Sequence, residues 1–176
     1  STLNFPVGDV RANGVTVKLA GDGSLSATFV AGAGATTDLI FDATGYYVDD
    51  STGAKFVPLT PARRLDTRSN TGLAGKFQAN LGRSLGINGT TNVPNDAVAL
   101  TGNLTVVNQS SKGYLSMTQT TTNTPSTSTL NFPLGDVRAN GVTGPVTPAG
   151  TVGIVYVAPA GKTTDVILDI TGYFAP

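Results

Sequence analysis

Residues 163–174 read TTDVILDITGYF, a run of Thr, Val and Ile in which two aspartates, Asp165 and Asp169, bracket three apolar residues. β-Branched side chains suit a pleated, half-exposed strand, and no apolar period of 3.6 residues runs through the segment. The stretch has a near-copy at 36–47, TTDLIFDATGYY, offset by 127 positions. The match extends backwards: STLNFPVGDVRANGVT at 1–16 faces STLNFPLGDVRANGVT at 128–143, and 28 of 49 aligned pairs are identical without a gap. Internal self-similarity organises a chain before any local feature does. Residues 55–127 have no second copy, so the sequence reads as one complete unit, 55–176, preceded by the C-terminal part of another, 1–54.

Turn-forming residues punctuate the rest of the chain. Gly21-Asp22-Gly23, Ala33-Gly34, Pro94-Asn95-Asp96, Ser110–Gly113, Pro148–Gly150 and Ala160-Gly161 separate apolar or Thr-rich runs. In the first copy the spacing predicts strands at Thr2–Phe5, Gly14–Ala20, Leu25–Ala31 and Thr37–Val48. In the complete unit it predicts Lys55–Leu59, Arg64–Thr67, Ala97–Asn108 with a break near Gly102, Tyr114–Thr120, Thr127–Phe132, Gly141–Val146, Val152–Ala158 and Thr164–Phe174. Many short strands at this spacing define an all-β fold, here an antiparallel β-sandwich with jelly-roll or Greek-key-like connections and an internal repeat of period 127. Asn13-Gly14 and Asn140-Gly141 carry the dipeptide of a type I′ hairpin. They are expected instead to lie in a loop or at the start of a strand, with Asn bonding to backbone.

Composition narrows function. Among 176 residues, 11 Lys+Arg balance 11 acids, all of them Asp, and charged residues make up only 12% of the chain. That excludes the clustered basic charge that nucleic acid or an anionic membrane surface requires. His, Cys, Trp and Glu are absent, which removes a His base, a thiolate nucleophile and His or Cys metal sites. No apolar run is long enough for membrane insertion. Zero Cys with Thr/Asn/Gly richness fits a secreted bacterial protein that does without disulfides, and Ser1 is expected to begin a mature or excised segment. No enzyme activity and no cofactor are expected.

Four motifs stand in a telling order: FVPLTPARRLDTR at 56–68, VPNDAVALTGNLTVVNQSSKGYLSM at 93–117, STLNFPLGDVRAN at 128–140 and TTDVILDITGYF at 163–174. Together they resemble a tandem β repeat of large secreted and cell-surface proteins of actinobacteria and other bacteria. Its units carry a P-x-R-L-L-D-T-R opening, a G-Y-L-T strand, an N-L-N-F segment and a D-V-x-G-Y-F end. Arg64 stands where that pattern has Leu. The resemblance covers the whole unit and, in its C-terminal part, residues 1–49. It implies a stalk, adhesive or surface-attachment module with an extracellular or cell-surface location and no enzymatic role.

Candidate sites are few. On an extended strand Arg64, Asp66 and Arg68 share a face. They are expected to form a structural network with Asp42 or Asp169, since an acid within an apolar strand needs a cationic partner. Asp165 and Asp169, four apart, would stand about 13 Å from each other by strand rise, too far for a carboxylate pair to act on one bond. Gly21-Asp22-Gly23 and Asp49-Asp50 lack the alternating acids of a calcium loop, and no metal site is expected. A Lys–Asn or Lys–Asp isopeptide cross-link is not expected, because the lysines at 18, 55, 76, 112 and 162 hold no equivalent positions in the two copies. Tyr46, Tyr47 and Tyr173, with Thr120 and Thr122 of the Thr/Ser tract at 118–129, are candidate glycan contacts.

Two functions compete. The first is a structural surface module whose partners are copies of itself or adjacent repeats. The second is a carbohydrate-binding module that holds cell-surface glycans. A half-unit leaves sheet edges and core side chains uncovered. Residues 1–49 are therefore expected either to pair with 55–127, leaving 128–176 to be completed by the next molecule, or to be completed by the preceding one; both give a head-to-tail contact that propagates into a filament unless it closes into a ring.

Overall fold

The computed structural model describes residues 1–90 and 92–176. Among the described residues it is all-β, with no helix and hence none able to cross a membrane. The described residues form nine strands between Lys55 and Ala175: β1 (Lys55–Asp66), β2 (Phe77–Gln78), β3 (Arg83–Gly86), β4 (Ala99–Val107), β5 (Gly113–Thr118), β6 (Leu130–Phe132), β7 (Arg138–Pro145), β8 (Thr151–Val157) and β9 (Thr163–Ala175). One sheet has the order β1-β9-β4-β7, with β2 also pairing with β9; the other has the order β3-β8-β5-β6. The two pack face to face as a β-sandwich. Alternate residues of each strand turn inward: Leu100, Leu104 and Val106 of β4 meet Val166, Leu168 and Ile170 of β9 and, across the core, Leu85, Leu115, Ile154 and Tyr156.

The ladders follow one rule. Every pairing between named strands joins a strand from the N-terminal half of the unit, β1–β5, to one from its C-terminal half, β6–β9. Among the described residues no ladder forms within either half, so both sheets alternate N-half and C-half strands across their width. The sequence separation of the partners makes nearly all of the pairing non-local.

Three strands differ from the sequence expectation, one of them expected in pieces and two not expected at all. Lys55–Leu59 and Arg64–Thr67 are parts of one strand, β1, whose register against β9 shifts between Pro58 and Ala62 and again between Arg63 and Leu65. The short β2 and β3 carry too little pattern to stand out in the sequence. The break expected near Gly102 is a register shift between Thr101 and Gly102 within a continuous β4. Asn140-Gly141 lies inside β7 with no positive φ, and Asn140 Nδ2 donates to Thr129 O at 2.7 Å.

The strands expected at Thr2–Phe5, Gly14–Ala20, Leu25–Ala31 and Thr37–Val48 are corrected: residues 1–54 contain no strand. The ladder rule supplies the reason. The counterparts of β6–β9 pair only with N-half strands, and the one N-half present is taken by 128–176. The segment nonetheless keeps local contacts at positions 127 apart. Asn4 bonds Ser1 as Asn131 bonds Ser128. Arg11 bonds Asp9 and Asn4 O as Arg138 bonds Asp136 and Asn131 O. Asn13 bonds Thr2 O, again at 2.7 Å. Phe5 stacks on Phe29 at 6.0 Å as Phe132 stacks on Tyr156 at 5.9 Å. The turns match too: Gly8, Gly23 and Gly34 have φ of 77°, 81° and 80°, against 78°, 73° and 79° at Gly135, Gly150 and Gly161. The segment runs beside β7, where Arg138 also bonds Asp9 at 2.7 Å and Gly14 N bonds Asn140 Oδ1.

Candidate functional site

Two charged clusters of the unit lie along the pairing of β1 with β9. Asp66, at the end of β1, is buried and saturated. Its Oδ1 accepts from Arg68 N at 3.1 Å and Arg68 Nε at 2.9 Å; its Oδ2 accepts from Arg68 Nη2 at 2.7 Å and Arg63 Nη1 at 3.1 Å. Arg63 then forks onto Asp169 with Nε and Nη2 at 2.9 and 3.1 Å, a bidentate pair across the β1–β9 ladder. The Arg68 guanidinium, with Arg63 behind it, holds the Asp66 carboxyl at about 2, down from 3.8.

A second cluster surrounds Asp165 on β9. Its Oδ1 accepts from Thr67 Oγ1 at 2.8 Å, and its Oδ2 accepts from Asn108 Nδ2 at 3.0 Å and pairs with Lys76 Nζ at 3.1 Å. Burial alone pushes this carboxyl up, but the bonds from Asn108, Thr67 and Lys76 outweigh it and keep its pKa below 3.8. Thr67 Oγ1 also accepts from Val166 N at 3.1 Å, so the cluster ties the chain leaving β1 to β9.

The residues singled out in the sequence divide. Asp66 and Arg68 pair with each other, and Asp169 pairs with Arg63. Arg64 does not join them. In the irregular register between Arg63 and Leu65 it faces no residue of β9, and it turns to the other side, under Gly72 and Gly86, with a buried Nε that has no hydrogen-bond partner. A bulge of this kind inverts the in–out alternation, which is why strict period-two spacing selects the wrong arginine. Asp42 is exposed and joins no ion pair among the described residues. Lys76, Asn108, Thr67 and Asp165 escaped the reading as a cluster; Asp165 within apolar neighbours was the one available signal.

Lys76, Asn108 and a buried acid are the residue types of an isopeptide cross-link. That chemistry needs a neutral amine and a protonated acid. Here the acid is held ionised and Lys76 is half exposed, so the trio is an ion pair with an amide brace. The intact mass of the folded chain is expected to equal that of its sequence; loss of one ammonia, measured by mass spectrometry, would contradict this.

The candidate glycan contacts do not converge. Tyr46 is 88% exposed; Tyr47 lies 6.0 Å from Phe174 near the end of β9; Tyr173 is half-buried against the core. Thr120 and Thr122 belong to the 119–129 loop, whose residues Thr121 and Thr122 lie against Gly82 and Gly153 beside the second sheet. The described residues hold no group of three acids placed for a metal ion. No family model, no curated protein and no solved structure matches the chain.

The charge network makes a stability prediction whose sign follows from Asp66. Its carboxyl is depressed on folding, so it contributes stability that is full above 3.8 and is lost as pH falls towards about 2. Arg68→Ala removes the main cause of that depression. The midpoint of acid unfolding, followed by circular dichroism, is expected to move to higher pH in the variant, while Lys112→Ala, which alters no such network, leaves it in place.

Proposed function

We propose that the chain is a non-enzymatic structural module of an extracellular surface protein, one that builds a stalk, filament or adhesin through tandem β contacts. The observation that carries the reading is the pairing rule: each sheet is assembled from alternating strands of two halves, and the chain holds the C-terminal half twice. The matched contacts of 1–49 and 128–176 support a structural repeat of period 127. The crossovers β4–β7 and β5–β8 support a Greek-key-like connectivity. The buried carboxylates hold strands together through Arg, Lys and Thr, a role that needs no substrate. The four-motif resemblance supports the extracellular setting, and adjacent repeats are the partners that fit best.

The exposed Tyr46 and Tyr47 favour a second reading, a carbohydrate-binding module. A polysaccharide pull-down with the full chain decides between them. No retention is expected. Retention that disappears in a Tyr46→Ala/Tyr47→Ala variant would replace the structural reading with the second.

A further inference from the structure

Residues 1–49 expose the side chains that their counterparts bury. Leu39 and Phe41 are 69% and 59% exposed, whereas Val166 and Leu168 are fully buried; Phe5, Val15, Leu19, Leu25 and Phe29 are exposed where Phe132, Val142, Val146, Val152 and Tyr156 are core. We propose that this segment is a preformed acceptor half-module that binds one polypeptide of the 55–127 type, which inserts the β1–β5 strands the segment lacks.

Three observations identify that occupant. First, the acids are kept. Asp38 and Asp42 stand where Asp165 and Asp169 do, and the second pair is satisfied by Thr67, Asn108, Lys76 and Arg63, all from the N-terminal half. Second, a glycine is kept without present need. A Cβ on Gly172 would meet the Phe56 ring at 2.3 Å, while one on Gly45, its counterpart, meets nothing within 4 Å. Gly45 makes room for a ring of the β1 type that is not there. Third, the turns at Gly8, Gly23 and Gly34 and the Asn13 brace already have the geometry of the completed half, which lowers the ordering cost of docking.

The N-terminal half at 55–127 is already paired with 128–176 and is not free to complete 1–49. The occupant must therefore be a further N-terminal half of the 55–127 type.

The inference deepens the structural-module reading and rests on it, and two forms of one experiment test it. In the first, the 55–127 polypeptide is added in trans to the full chain and the complex is weighed by native mass spectrometry. A 1:1 complex is expected, and Phe41→Asp in the full chain is expected to abolish it. In the second, a copy of 55–127 is fused ahead of residue 1, which keeps the test intact if the free polypeptide aggregates. Amides of 11–18, 24–30 and 36–48 are then expected to exchange about a hundredfold more slowly or better than in the unfused chain. Unchanged exchange in the fused chain, with 55–176 folded as before, overturns the proposal, as does a complex that survives Phe41→Asp. Polysaccharide retention through Tyr46 and Tyr47 alongside a normal 1:1 complex would overturn the module reading alone.

Discussion

Leu168→Ala is expected to cost about 3–4 kcal/mol of unfolding free energy, and Phe41→Ala, at the matching position of the first copy, less than about 0.5 kcal/mol. Leu168 is fully buried in β9, opposite Leu65 of β1 on one side and Leu104 of β4 on the other. Truncation leaves a cavity that a sheet paired along both edges cannot close. Phe41 has neither neighbour and is 59% exposed, so its removal takes little apolar surface out of the core. Urea unfolding of the two variants measures the contrast. Equal costs would mean that 1–49 is packed as a core of its own.

Gly102→Val is the second large effect, with a loss of about 3 kcal/mol or more. Gly102 sits on β4 where the register against β9 shifts, and a Cβ there would meet Asp169 O at 2.4 Å and Ile170 Cα at 3.2 Å. Both obstacles are backbone in the centre of a sheet and have nowhere to move. Gly141, on the edge strand β7, offers the control: a Cβ there meets nothing within 4 Å, and Gly141→Ala is expected to change stability by less than about 0.5 kcal/mol. Thermal unfolding of the two variants separates a glycine required by close approach from one that is not.

The all-β class was legible because Thr, Gly, Asn and Pro leave no helix to build, and β4, β5, β8 and β9 fell where apolar runs lie between turn residues. What escaped was everything set by a partner rather than by local pattern. Residues 36–47 have the same alternation as 163–174, yet only the latter is a strand, because a ladder needs an N-half neighbour that the alternation does not record. Arg63 rather than Arg64 faces Asp169 because of an irregularity in register, which spacing arithmetic assumes away. Lys76 and Asn108 reach Asp165 only through the placement of β2 and the end of β4 on either side of β9. Asp66 and Arg68, two residues apart, needed no tertiary information to find each other.

Among the described residues strands pair only between the two halves of 55–176, which leaves 1–49 without ladder partners. Amide hydrogen exchange of the full chain is the decisive measurement. Amides of β4, β8 and β9 are expected to exchange only through global unfolding, while those of 36–48 exchange through local opening many orders of magnitude faster, despite near-identical sequence. Protection of 36–48 equal to that of 163–175 would contradict the account.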